Sequence, residues 1–238
     1  MNPTPLTPAP HRTRIKICGL TRERDVDAAV AAGADAVGFV LYPPSARHVT
    51  AERAAELAKR LPPFVTPVLL FVNEIASKLI AANALLTGAL VQFHGDESPA
   101  DCLATGLRHL KAARIPLDSG ARPFDLVKYA QEYHSAQAIL LDAHVEGYGG
   151  GGKTFNWSLL PPNVNAHLVL SGGLTAANVT DGILQVRPRA KSLAVDVSSG
   201  VEAAKGIKDP EKINQFVAAV RRADQLLAEQ NHDRIRTT

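Results

Sequence analysis

Aromatic residues make up only 5% of the 238-residue chain, so a stacking platform for nucleic-acid bases is not expected. Cysteine is equally scarce: Cys18 and Cys102 are the only two, too few for a disulfide framework. No apolar run approaches the roughly 20 residues of a membrane span. Neither sign of charge dominates, since 26 basic and 23 acidic residues leave a net +3. The basic residues are scattered; the balance permits attraction of a small anion but does not argue for a nucleic-acid partner. The eight histidines show no HxxxH pairing, so no metal site is expected. Residues 1–12 carry prolines at positions 3, 5, 8 and 10, which block helix, and lack the apolar core of a signal peptide. They read as a loose, disordered arm. Nothing directs export, and the cytosol is the default location.

Hydrophobic residues, at 46%, suffice for one sizeable core. Short β-rich runs alternate with longer amphipathic stretches almost from end to end. Strands are expected at Arg14–Cys18, Ala36–Val40, Pro67–Val72, Ala89–Phe93, His109–Ala113, Ala138–Asp142, His167–Leu170 and Leu193–Val197. Helices are expected at Arg22–Ala32, Ala51–Arg60, Glu74–Leu86, Pro99–Gly106, Pro123–Tyr133, Ala176–Gln185 and Pro210–Glu229, with only a short turn near Trp157–Leu160 after the sixth strand. Eight β/α repeats imply a parallel sheet covered by helices. An open doubly wound sheet fits the alternation too, but it would gather its ligand at one switch point, whereas polar residues here follow most strands. A single-domain (β/α)8 barrel brings all those strand ends to one face and is preferred. Residues 13–228 form that domain in this reading, and 229–238 form a polar tail that frays.

Side chains alternate along a strand. In Arg14–Cys18 the two isoleucines suit the helix-covered exterior, and Lys16 and Cys18 point inward. Cys18 then sits at the C-terminal, active-site end of its strand. A buried cysteine is often a small hydrophobe, but Lys16 lies about 6–7 Å away on the same face, and a nearby cation favours thiolate. The sixth strand is apolar until Asp142, which suits an acid at the barrel mouth as well as a turn cap. Gly149–Gly152 then free the backbone for close approach and movement. Gly147 through Lys153-Thr154 meets the phosphate-binding GxxxxGK[ST] spacing nominally, but within a glycine run and without the strand–loop–helix context, so an NTPase is disfavoured.

After the seventh and eighth strands come Ser171-Gly172-Gly173 and Ser198-Ser199-Gly200, small residues of the kind that cradle a phosphate at this place in a barrel. Gln92 and His94 share the inward face of strand four; His94 reads as a hydrogen-bonded mouth residue ahead of a proton carrier. Arg47, after the second strand, is either a carboxylate holder or a solvated loop charge. Cys102 and Trp157 read as packing residues.

These blocks resemble the phosphoribosylanthranilate isomerase family. The resemblance runs in order from about Arg14 to Arg221 through Lys16–Thr21, Gly38–Arg47, Gln92–Glu97, Leu141–Ala143, Lys153–Phe155, Ser171–Leu174, Asp196–Glu202 and Gly206–Asp209. Gly151 stands where the family's loop usually has threonine, and Asn156 where it usually has an acid. The resemblance implies an Amadori rearrangement in tryptophan biosynthesis, with Cys18 as general base and Asp142 as general acid. It further implies that Arg47 holds the anthranilate carboxylate, that His94 and Asp196 line the sugar site, and that Gly172, Gly173, Ser198 and Ser199 bind phosphate. No metal or organic cofactor is required. Donation near neutrality asks for an Asp142 pKa well above about 4, and proton abstraction for a Cys18 pKa below about 8.5. The expected partner is a small phosphorylated substrate, without nucleic acid or membrane, and the assembly a monomer or homodimer. A histidine-pathway isomerase of related type would place aspartates at the ends of strands one and five, which this chain does not. A barrel that only binds a phosphosugar predicts dispensable Cys18 and Asp142.

Overall fold

The computed structural model describes residues 12–117, 124–143 and 154–236. The N-terminal arm, apart from Arg12, and the glycine loop with Lys153 lie outside them.

Eight parallel strands close into a barrel in sequence order, β8 pairing back onto β1. They are β1 Arg14–Cys18, β2 Ala36–Val40, β3 Thr66–Phe71, β4 Leu90–Phe93, β5 His109–Ile115, β6 Ala138–Ala143, β7 His167–Leu170 and β8 Ser192–Val197. The helices are α1 Glu23–Ala31, α2 Ala51–Ala58, α3 Ala76–Leu85, α4 Pro99–Ala104, α5 Leu126–Glu132, α6 Val179–Val186 and α7 Pro210–Arg236. Among the described residues between β6 and β7 the one helical element is a 3-10 turn, Trp157–Leu159, where the sequence suggested a short turn. None of the described helices is long and apolar enough to cross a membrane.

Local chemistry sets the helix starts. Thr50 caps α2 by accepting from Arg53 N, and Ser98 and Asp101 form a reciprocal capping box around Pro99 at α4. Alternation then sorts the side chains. Ile15, Ile17, Val37, Phe39, Leu69, Phe71 and Val91 face outward and pack under the helices in the main core. Inside the barrel, Ala112, Leu140 and Val169 fill one layer, and Cys18, Val40, Leu70 and Val72 another. Cys102 is fully buried in α4, and Trp157 is buried against Gly182 of α6.

Two features depart from expectation. α7 continues past Glu229 to Arg236, because Glu229–Arg236 contains no glycine or proline to stop it. A two-stranded antiparallel ribbon, β9 Glu202–Ala204 and β10 Ile207–Lys208, follows β8. Its turn carries Gly206 at φ +78°, where an added Cβ would lie 2.8 Å from the Ala46 carbonyl oxygen. The ribbon therefore docks against the loop after β2, and Thr21 donates to the Gly206 carbonyl at 2.9 Å.

Candidate active site

Cys18, Asp142 and Asp196 end β1, β6 and β8 at the same barrel mouth, all three buried. Room for the thiol comes from Gly38, the register partner of Cys18 on β2, where a Cβ would sit 2.6 Å from Cys18 Sγ. Beneath the thiol, Lys16 Nζ donates to Asp196 Oδ1 at 2.9 Å. Burial works against the Lys16 ammonium, but Asp196 and Cys18 outweigh it and raise its pKa above the ordinary lysine value. Cys18 responds in the direction opposite to expectation. Burial pushes its thiol up, the Lys16 charge pulls it down, and Asp196 adds to the rise. The sequence places Lys16 beside Cys18 but does not show that Asp196 already engages that cation.

Across the barrel, Asp142 is held at both oxygens. Ala143 N donates to Oδ1 at 3.0 Å, and His94 Nε2 lies 3.1 Å from Oδ2. Gln92 Nε2 lies 2.9 Å from His94 Nδ1, which makes a buried chain from Gln92 through His94 to Asp142. Gly172, at φ +77°, passes so close that a Cβ would stand 2.8 Å from Asp142 Oδ1 and 2.6 Å from Ala143 N.

The loops after β7 and β8 form one surface. Gly173, at φ +63°, offers its carbonyl to Asn178 Nδ2 at 3.0 Å. Gly200 lies so near the Leu174 carbonyl that no side chain fits between them. Ser198 and Ser199 enter the short 3-10 turn Ser199–Val201. Ser198 is tied down from below by Lys208 Nζ, which donates to its carbonyl at 2.9 Å and lies 3.3 Å from its Oγ. Burial lowers the Lys208 pKa, with Glu202 opposing the drop.

Arg47 is no solvated loop charge. Its Nε and Nη2 donate to Glu202 Oε1 and Oε2 at 2.7 and 2.8 Å. Burial would push the Glu202 carboxyl up, but Arg47 and Lys208 hold it below the usual carboxylate range. Sequence reasoning missed this carboxylate, which lies 155 residues from its partner; its place at the end of the Asp196–Glu202 block was the only signal. Asn156, where the family usually has an acid, caps the 3-10 turn by accepting from Ser158 N at 3.1 Å and Ser158 Oγ at 2.8 Å. Gly151 lies outside the described residues. Among the described residues, no three His, Cys, Asp or Glu side chains could hold a metal ion.

Residues 15–219 match the family profile described as N-(5'phosphoribosyl)anthranilate (PRA) isomerase. The N-(5'-phosphoribosyl)anthranilate isomerase of Methylibium petroleiphilum is 62% identical over 217 residues, covering 91% of this chain and 98% of that protein. The crystal structure of phosphoribosyl anthranilate isomerase from Thermotoga maritima superposes with a TM-score of 0.76 at 40% identity, over 88% of this chain and 98% of that one. A phosphoribosyl anthranilate isomerase in complex with reduced 1-(o-carboxyphenylamino)-1-deoxyribulose 5-phosphate gives 0.74 at 37% identity, with the same coverage. With this barrel, these strand ends and relatives that match along nearly their whole length, the chain belongs to the N-(5'-phosphoribosyl)anthranilate isomerase family.

Proposed function

We propose that Cys18 and Asp142 carry the two proton transfers of this isomerase from opposite sides of the barrel mouth. The reaction is the Amadori rearrangement of N-(5′-phosphoribosyl)anthranilate to 1-(2-carboxyphenylamino)-1-deoxyribulose 5-phosphate, a step of tryptophan biosynthesis. Asp142 protonates the furanose ring oxygen as the C1′–O bond breaks and the anthranilate nitrogen lends its electron pair to form an iminium. Cys18 removes the proton from C2′, and the electrons of that C–H bond flow back to nitrogen as an enolamine. Protonation at C1′ and loss of the C2′ hydroxyl proton complete the ketone.

The observation that carries this reading is the Gln92–His94–Asp142 chain. In the arrangement shown, Gln92 Oε1 is buried without a partner. With the amide turned so that Oε1 accepts the proton on His94 Nδ1, the His94 Nε2 lone pair is left to accept from a protonated Asp142. A general acid needs that form. The thiol, protonated in the free enzyme, would reach its reactive form through the Lys16 charge as the pH rises.

Arg47 would hold the substrate carboxylate, His94 and Asp196 would line the sugar, and Gly172, Gly173, Ser198 and Ser199 would receive the phosphate. The thiols of Cys18 and Cys102 are free and buried, which fits a reducing, cytosolic compartment. Loss of the anthranilate-type fluorescence of fresh substrate tests the assignment. Cys18→Ala and Asp142→Asn should each lower kcat by about 10²–10⁴-fold while KM changes little. Wild-type turnover in either variant would remove that residue from the mechanism.

A further inference from the structure

A guanidinium can face carboxylates along two edges, each with a parallel pair of N–H groups. In Arg47 the Nε–Nη2 edge is given to Glu202. Glu202 is itself fixed from behind. Lys208 Nζ donates to Oε1 at 2.9 Å, and Lys212 Nζ donates to the Glu202 carbonyl at 2.8 Å. The same Lys208 ammonium reaches the Ser198 carbonyl. One carboxylate therefore joins the loop after β2 to the loop after β8, with side-chain exposure of only 6% at Glu202 and 14% at Arg47.

We propose that Glu202 is a positioning residue for the carboxylate subsite. It occupies the Nε–Nη2 edge of Arg47 so that the Nη1–Nη2 edge faces the substrate carboxylate, and through Lys208 it sets that edge relative to Ser198. The substrate is thereby gauged between its aromatic carboxylate and its phosphate. The inference rests on the reading of Arg47 as the holder of the anthranilate carboxylate.

Charge and geometry make opposite predictions, which gives the test its sign. Two cations and one carboxylate leave this cluster at +1, and Glu202→Gln makes it +2. If charge alone mattered, the anionic substrate would bind more tightly. Positioning predicts weaker binding, because an amide N–H group facing Arg47 or Lys208 displaces the guanidinium.

We expect Glu202→Gln to raise KM for phosphoribosylanthranilate by about tenfold or more, equivalent to roughly 1.4 kcal/mol, with kcat little changed. The KM of the analogue made from aniline, which lacks the carboxylate, should not move. Glu202→Asp keeps the charge but is one methylene shorter; it should show the same selective rise, more weakly, and serves if the glutamine variant does not fold. Arg47→Met separates the two levels of the argument. If it raises KM while both Glu202 variants leave KM unchanged or lower, the Arg47 reading stands and the positioning role is overturned. If Arg47→Met leaves KM unchanged, the reading itself fails and the inference falls with it. An equal rise for both substrates would make Glu202 general scaffolding and also overturn the proposal.

Discussion

At the end of β1, Lys16 lies between Asp196, which accepts its hydrogen bond at 2.9 Å, and Cys18, whose thiol it helps to ionise. Arg47 and Lys208 add positive charge near the same sulfur. Burial outweighs these cations in the free enzyme, so the thiol stays protonated at neutral pH, and alkylation by iodoacetamide should accelerate only above the ordinary thiol pKa of about 8.5. The signs for the neighbours follow. Lys16→Met removes a charge that lowers the Cys18 pKa and should move the alkylation curve to higher pH. Asp196→Asn removes one that raises it and should move the curve to lower pH. Both are read in a Cys102→Ser background, although burial already pushes the Cys102 thiol up to about 11. Movement of both curves in the same direction would contradict the Lys16–Asp196 account. The sequence showed Cys18 and Lys16 on one face because period two is local. The Lys16–Asp196 pair spans 180 residues, and no spacing rule reaches that far.

At the scale of elements, the barrel seam is clasped by α7. Asp224 accepts from Thr13 N at 3.0 Å and Thr13 Oγ1 at 2.6 Å, and Arg221 donates to the Thr13 carbonyl at 2.9 Å. Thr13 is fully buried just ahead of β1, so Asp224→Ala leaves buried donors without a partner. That change should cost about 1–3 kcal/mol, seen as a lower urea midpoint at unchanged m. Unchanged stability would mean that water replaces the aspartate there. Most strands were legible to within a residue or two, because a buried parallel strand is a short apolar run between glycines, prolines and polar turns. The β9–β10 ribbon was not. Its strands are three and two residues long, with Glu202 and Lys208 as their buried side chains, so no apolar pattern marks them. Helix α7 runs further than expected for a related reason: polar residues such as glutamate, glutamine and arginine are good helix formers, so polarity alone does not mark a helix end.

At the scale of the molecule, closure of the sheet brings chemistry from β1, β4, β6 and β8 to one mouth, which no element contains alone. That the site lies at the strand ends was readable from eightfold order and alternation. That Arg47 arrives already paired was not, since the pairing depends on how two loops meet after closure. The mouth's cations Lys16, Arg47 and Lys208 are matched there by Asp142, Asp196 and Glu202, so long-range attraction of the anionic substrate rests on the chain's net charge of +3. Raising salt from about 0.01 to about 1 M shortens the screening length from roughly 30 to 3 Å. kcat/KM should fall several-fold over that range while kcat holds, as for steered encounter. A salt-insensitive kcat/KM would indicate that only buried contacts draw the substrate in.

The division of labour between Cys18 and Asp142 is the centre of the account, and a primary isotope effect on substrate deuterated at C2′ tests it most directly. In Cys18→Ser the weakened base should make C2′ proton removal limiting, and a large isotope effect should appear on kcat. In Asp142→Asn ring opening should limit instead, and the effect should shrink toward unity. The reverse pattern, or the same effect in both variants, would contradict the assignment of base and acid.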